Sequence, residues 1–156
     1  MHSTRRSAGR SAALSLMLSA ALAACGGGGG GGSSSRSSSD LSGSPVKGPM
    51  ANAVVQIFSV DGSAAQAKGD VLSTGSTNAQ AAITGINIPA SHSGALIVEI
   101  TADDDTVDLA SNAAPAITVF RTLLNNRDAA DAPIYPSPLT TLAYDLAVAK
   151  ADSSSG

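Results

Sequence analysis

The chain has 156 residues, enough for one domain once leader and tail segments are set aside, with a single core. From Cys25 onward it holds six basic and twelve acidic residues, a net charge of −6. The remaining positives, Arg36, Lys47, Lys68, Arg121, Arg127 and Lys150, are scattered. Phosphate-backbone binding needs clustered Lys and Arg, so nucleic acid is excluded as a partner. One cysteine rules out an internal disulfide and any multi-cysteine metal or iron–sulfur centre.

Chain order begins with a start carrying Arg5, Arg6 and Arg10, followed by the apolar stretch Ser11 to Ala24. That run has the length of a signal peptide and is too short to cross a bilayer as a helix. Residues 1–24 therefore read as an export signal. The Arg5-Arg6 pair lacks the hydrophobic positions that follow a twin-arginine motif, so general secretion is the expected route.

The stretch closes on Leu22-Ala23-Ala24-Cys25, which resembles the lipobox of bacterial lipoproteins: an aliphatic residue, two small residues and a cysteine. The resemblance implies cleavage before Cys25, covalent diacylglycerol on its sulfur and an acyl group, such as palmitate, on its amino group. Two or more acyl chains make attachment stable, because one chain alone binds a membrane only marginally. Gly26, where that family has aspartate for inner-membrane retention, implies the outer membrane of a Gram-negative cell. No other cofactor is implied.

Gly26 to Ser44 begins with seven consecutive glycines and has almost no apolar surface. Residues 25–44 therefore read as the lipidated Cys25 and a disordered Gly/Ser linker, spanning roughly 25 Å as a flexible coil. A phosphate-binding glycine loop would need a preceding strand, a following helix and a Lys-Ser/Thr pair, none of which is in the sequence.

From Pro45 short apolar runs alternate with turn signals. Ala51 to Val60 is rich in β-branched residues and ends at Asp61-Gly62, a hairpin dipeptide. A short strand is expected around Val71 and Leu72, others over Ile83 to Ala90 and Ala116 to Leu124. In "ALIVEIT", Leu96, Val98 and Ile100 form one face, and Ile97, Glu99 and Thr101 the other, read as core and mostly solvated respectively. The pattern predicts a mostly β chain: a small antiparallel β-sandwich over residues 45–125, Ig-like or transthyretin-like. Residues 126–156 are expected to form a loop and a C-terminal α-helix. Ser137 suits its N-cap and Pro138 its first position, and Leu139, Leu142, Leu146 and Ala149 fall at helical spacing as the apolar face.

"VKGPMANAVVQIF", "LSTGSTNAQAAITGINIPASHSGALIVEITA", "VFRTLL" and "IYPSPLTTLAYDLA" together resemble the carboxypeptidase regulatory-like, transthyretin-like modules of bacterial lipoproteins, over Val46 to about Ala147, most specifically at Ser137 to Ala143. A departure lies at Ala81, where the family's turn carries glycine. Because alanine resists positive φ, this hairpin is expected to be longer or looser.

The chemistry-bearing residues point to no catalytic set. His92, the one histidine after the leader, sits in the turn-like "PASHSG", and no serine lies in a G-x-S-x-G elbow. Asp103, Asp105 and Asp108, with Asp104 between them, are weak candidate Ca²⁺ ligands, because the alternating spacing with Gly and a distal Glu is missing. Glu99 is the sole glutamate, so paired glycosidase carboxylates find no support.

The expected function is a non-enzymatic, lipid-anchored envelope protein displaying a binding or structural module, its protein or carbohydrate ligand unassigned. Two alternatives remain open: the anchoring module of a larger envelope enzyme or export component, of which this chain is a fragment, and a calcium-dependent carbohydrate-binding or adhesive module.

Overall fold

The computed structural model describes residues 38–154. The expected signal segment 1–24, Cys25 and the linker as far as residue 37 lie outside the described residues. Nine strands and a helix follow in order: β1 (Ser39–Asp40), β2 (Met50–Ala51), β3 (Val54–Val60), β4 (Lys68–Thr77), β5 (Ile83–Thr84), β6 (Asn87–Ile88), β7 (Leu96–Thr101), β8 (Val107–Asp108), β9 (Val119–Leu124) and α1 (Pro138–Ser154). The described body is mostly β, with antiparallel sheets and one C-terminal helix.

A five-stranded antiparallel sheet runs β5-β4-β3-β7-β9, and two small pairs, β1-β6 and β2-β8, accompany it. β3 is central, with Val55 opposite Ile100 and Ile57 opposite Val98; on the far side of β7, Ile100 meets Phe120 and Leu96 meets Leu124. Because side chains alternate along a strand, this register gathers Val55, Ile57, Leu96, Val98, Ile100, Phe120 and Leu124 on one face. They form one buried cluster with Leu41, Met50, Ile83, Ile86, Ile88 and Ile134, so the short strand pairs and loops cover that face. Each fully buried side chain of this size contributes about 1.5–3 kcal/mol gross.

Several local expectations change. The ordered body starts before Pro45: Ser39 and Asp40 pair with β6, Leu41 is buried, Gly43 bridges Ile134, and Ser44 N donates to Ile134 O at 3.1 Å. Burial of Leu41 together with these backbone bonds holds the polar stretch on the body. β4 spans ten residues rather than a short run near Val71 and Leu72. Serine, threonine and glycine lower strand propensity, but cross-strand bonding to β3 overrides it.

The β3-β4 connection is not a two-residue turn at Asp61-Gly62. Asp61 Oδ1 accepts from Ser63 N and Ser63 Oγ, forming an Asx turn, and the ladder closes only where Asp61 N donates to Ala67 O. The expected strand over Ile83 to Ala90 is split into β5 and β6 by Gly85 at φ +73°.

The turn at Asn78 forms tightly despite Ala81, correcting the expectation of a looser one. Ala81 takes φ +59°, its N–H donates to Asn78 O, and the Asn78 side chain accepts from the N–H groups of Gln80 and Ala82. Those bonds, with full burial of the Ala81 methyl, offset a left-handed conformation that costs about 1–2 kcal/mol.

α1 starts as the sequence predicts. Thr140 N donates to Ser137 Oγ and Ser137 N donates to Thr140 Oγ1, a reciprocal cap. Its buried face differs from the one expected. Leu139, Leu142 and Leu146 are 74%, 55% and 61% exposed and Ala149 is exposed, whereas Tyr144 is 5% exposed and Val148 packs beside it. Residues 137, 141, 144 and 148 share the sheet-facing stripe, because hydroxyl bonds to β9 set the helix rotation. Thr141 Oγ1 accepts from Arg121 N at 2.9 Å, and Thr140 Oγ1 donates to Arg121 O at 2.7 Å. These bonds also occupy outward-facing backbone groups of an edge strand.

Candidate functional site

The sheet face beneath α1 holds Phe58, Ile97 and Leu123 in one cross-strand row, and Glu99 and Arg121 as direct neighbours in the next. Phe58, Ile97 and Tyr144 make a small buried cluster there. The face expected to be solvated is thus covered by the helix, and Glu99 is 8% exposed.

A carboxylate so placed requires partners, since an unpaired buried charge is costly. Lys68 Nζ and Arg121 Nε both approach Glu99 Oε2 at 2.6 Å. Lys68 arrives from the start of β4, where a register shift between Phe58 and Val60 sets Lys68 opposite Val60. Burial pushes the Glu99 carboxyl up, but hydrogen bonds and charge from Lys68 and Arg121 outweigh it and hold the group below the ordinary glutamate value.

The helix joins this cluster through two residues one position apart. The Arg121 guanidinium lies 5.7 Å from the centre of the Tyr144 ring, and its Nη1 is 3.5 Å from Asp145 Oδ1. Tyr144 Oη donates to Gln66 O in the β3-β4 connection. Burial raises the phenol above its ordinary value. Lys68 Nζ also sits 4.9 Å over the Phe58 ring. Chemically, the cluster is a clamp: two cations and two carboxylates neutralise one another and fasten the helix to the sheet. A carboxylate with a lowered pKa is a poor proton acceptor near neutral pH, so the geometry suits cohesion rather than general-base work.

The sequence shows Lys68 and Arg121 only as two scattered positives and assigns no role to Tyr144. The available signal was Glu99, the one charged residue of the strand, which needs a cation if covered; the partners come from strands whose register no local pattern reveals.

The other candidates are dispersed. Asp103 Oδ1 accepts from Thr106 Oγ1 at 2.8 Å and from Asp105 N at 3.1 Å, and Asp108 Oδ1 accepts from Ala110 N. These carboxylates are engaged in turn closure, and among the described residues no group of three or more His, Cys, Asp or Glu is placed to hold a metal ion. His92 Nε2 lies 3.3 Å from Ala95 O within its own loop. Cys25, with Leu22, Ala23 and Ala24, lies outside the described residues. No helix among the described residues is long and apolar enough to cross a membrane. No family model, curated protein or solved structure matches the chain.

Proposed function

We propose that this chain is a lipid-anchored envelope protein, held in the outer membrane through Cys25, that displays a small β-sandwich of the transthyretin-like, carboxypeptidase regulatory-like type as a binding or spacing module rather than a catalyst. The observation that carries the reading is Leu22-Ala23-Ala24-Cys25 at the end of an apolar run, followed directly by seven glycines. A thiol in that setting is an alkylation site, and small residues before it give a peptidase access to the backbone.

Support for the sandwich comes from the packing of short strand pairs over one face of the five-stranded sheet around a single apolar cluster. The non-catalytic part draws on the buried polar groups beneath α1, whose charges and hydroxyl are committed to one another and to backbone. The test is the intact mass of membrane-extracted protein beside a Cys25→Ser variant. Residues from Cys25 onward plus diacylglycerol and an acyl chain, lost in the variant, is the expected result. An unlipidated mass in both removes the reading.

A further inference from the structure

The outward side of α1 presents a row of exposed leucines. Leu139, Leu142 and Leu146 are exposed over successive turns, and helical periodicity sets exposed Ala143 and Ala149 on the same side. The carboxylates of the helix lie elsewhere. Asp145 and Asp152 fall on the flank nearer the sheet, and Asp145 faces Arg121. From Leu139 to Leu146 the outer side is therefore apolar.

The incoming chain meets this helix at its start. Ser44 N donates to Ile134 O and Val46 N to Pro136 O, so half-exposed Val46 lies beside exposed Tyr135, three residues ahead of α1. Ser38, the first described residue, stands thirteen positions after Cys25. So short a stretch of sequence between the two gives a surface that holds Cys25 a high effective concentration at the described body.

We infer that the Leu139–Leu142–Leu146 stripe docks on the lipid surface to which the chain is anchored, so that α1 lies in the headgroup region with Tyr135 and Val46 at its near end. The inference rests on the lipid-anchored reading. Anchoring supplies proximity, which makes a short apolar stripe sufficient where it would be too weak alone. Docking by α1 fixes the opposite side of the sheet, with the β2-β8 pair and the Asp103–Asp108 loop, as the surface turned away from the membrane.

The chain has no tryptophan, so single reporters are clean. Full-length lipidated protein carrying Leu142→Trp, and separately Leu109→Trp in the exposed loop after β8, is reconstituted on phosphatidylethanolamine–phosphatidylglycerol vesicles with and without brominated acyl chains. The expected result is blue-shifted emission and bromolipid quenching for Leu142→Trp but not Leu109→Trp, with quenching reduced when Leu139→Ser and Leu146→Ser are added. Vesicle-bound protein whose Leu142→Trp emission stays that of exposed indole overturns the docking and leaves the anchor standing. A blue shift without bromolipid quenching assigns the stripe to a second copy of the chain and overturns it equally. Protein that fails to float with vesicles and has an unlipidated mass removes both readings.

Discussion

On one face of the five-stranded sheet, Val55, Ile57, Val98, Ile100 and Phe120 are sealed by other apolar side chains; on the other, one ring cluster adjoins a buried carboxylate with two cations under a helix. The first face is cohesive through area removed from water, which is insensitive to pH and tolerant of the angle at which its cover arrives. The second depends on geometry, since its ion pairs and hydroxyl bonds hold only while α1 keeps its rotation. β7 serves both faces with alternate residues, as do β3 and β9. Alternation in the sequence thus says that two faces differ, not that one of them is wet.

The largest effect expected is on the apolar face. Phe120→Ala removes a fully buried ring and lowers unfolding free energy by about 3–5 kcal/mol in urea titration. A loss under about 1 kcal/mol would mean that this face is not the core. Next is Gly43→Ala, where an added Cβ would stand 1.9 Å from Ile134 O on backbone at φ +136°. Clash and conformation together cost about 3 kcal/mol, whereas a residue in a disordered linker would show no change, so this variant decides where the body begins.

The helix face is tested by charge. Glu99→Gln leaves Lys68 without a carboxylate and Arg121 with Asp145 alone; because both cations retain some solvent contact, the expected loss is about 2 kcal/mol at pH 7, below the range for fully buried pairs. The pH dependence follows from the lowered pKa. Glu99 contributes stability in full above its unfolded value of about 4.3, and the contribution is lost as pH falls through the lower folded value. The wild-type stability curve therefore drops across that acid window, and the Glu99→Gln curve is flatter there.

Tyr144→Phe removes the bond to Gln66 O, at a cost of about 1 kcal/mol. Its raised pKa places the linked effect at the other end of the scale: stability is full below the unfolded phenol value of about 10 and falls as pH rises through the folded value, a slope the Phe variant lacks. Smallest is Leu142→Ser in solution, within about 0.5 kcal/mol by thermal melt, since the side chain is mostly exposed. A larger loss would place the leucine stripe inside the fold and erase the contrast between the helix's two sides.

Much of the fold was legible because its signals are local. The alternation of Leu96 to Thr101 marked a strand and its core face, the β-branched run before Val60 marked β3, and Ser137-Pro138 marked the start of α1. Of the cluster under the helix, only Glu99 stood out. The leucine spacing of α1 indicated a helix and then pointed to the wrong side of it, because periodicity reports where apolar residues lie, not which side finds a partner.

By itself the sequence determined an acidic chain with a lipobox-like cysteine, a glycine-rich stretch, a β-rich body and a capped terminal helix, all properties carried by neighbours along the chain. Tertiary structure decided that Leu41 and Gly43 belong to the body, that Lys68 and Arg121 meet on Glu99, and that Thr140, Thr141 and Tyr144 rather than the leucines face the sheet. Those outcomes depend on register and on hydrogen bonds between residues distant in sequence, and a side chain's burial is set by what the folded chain brings over it.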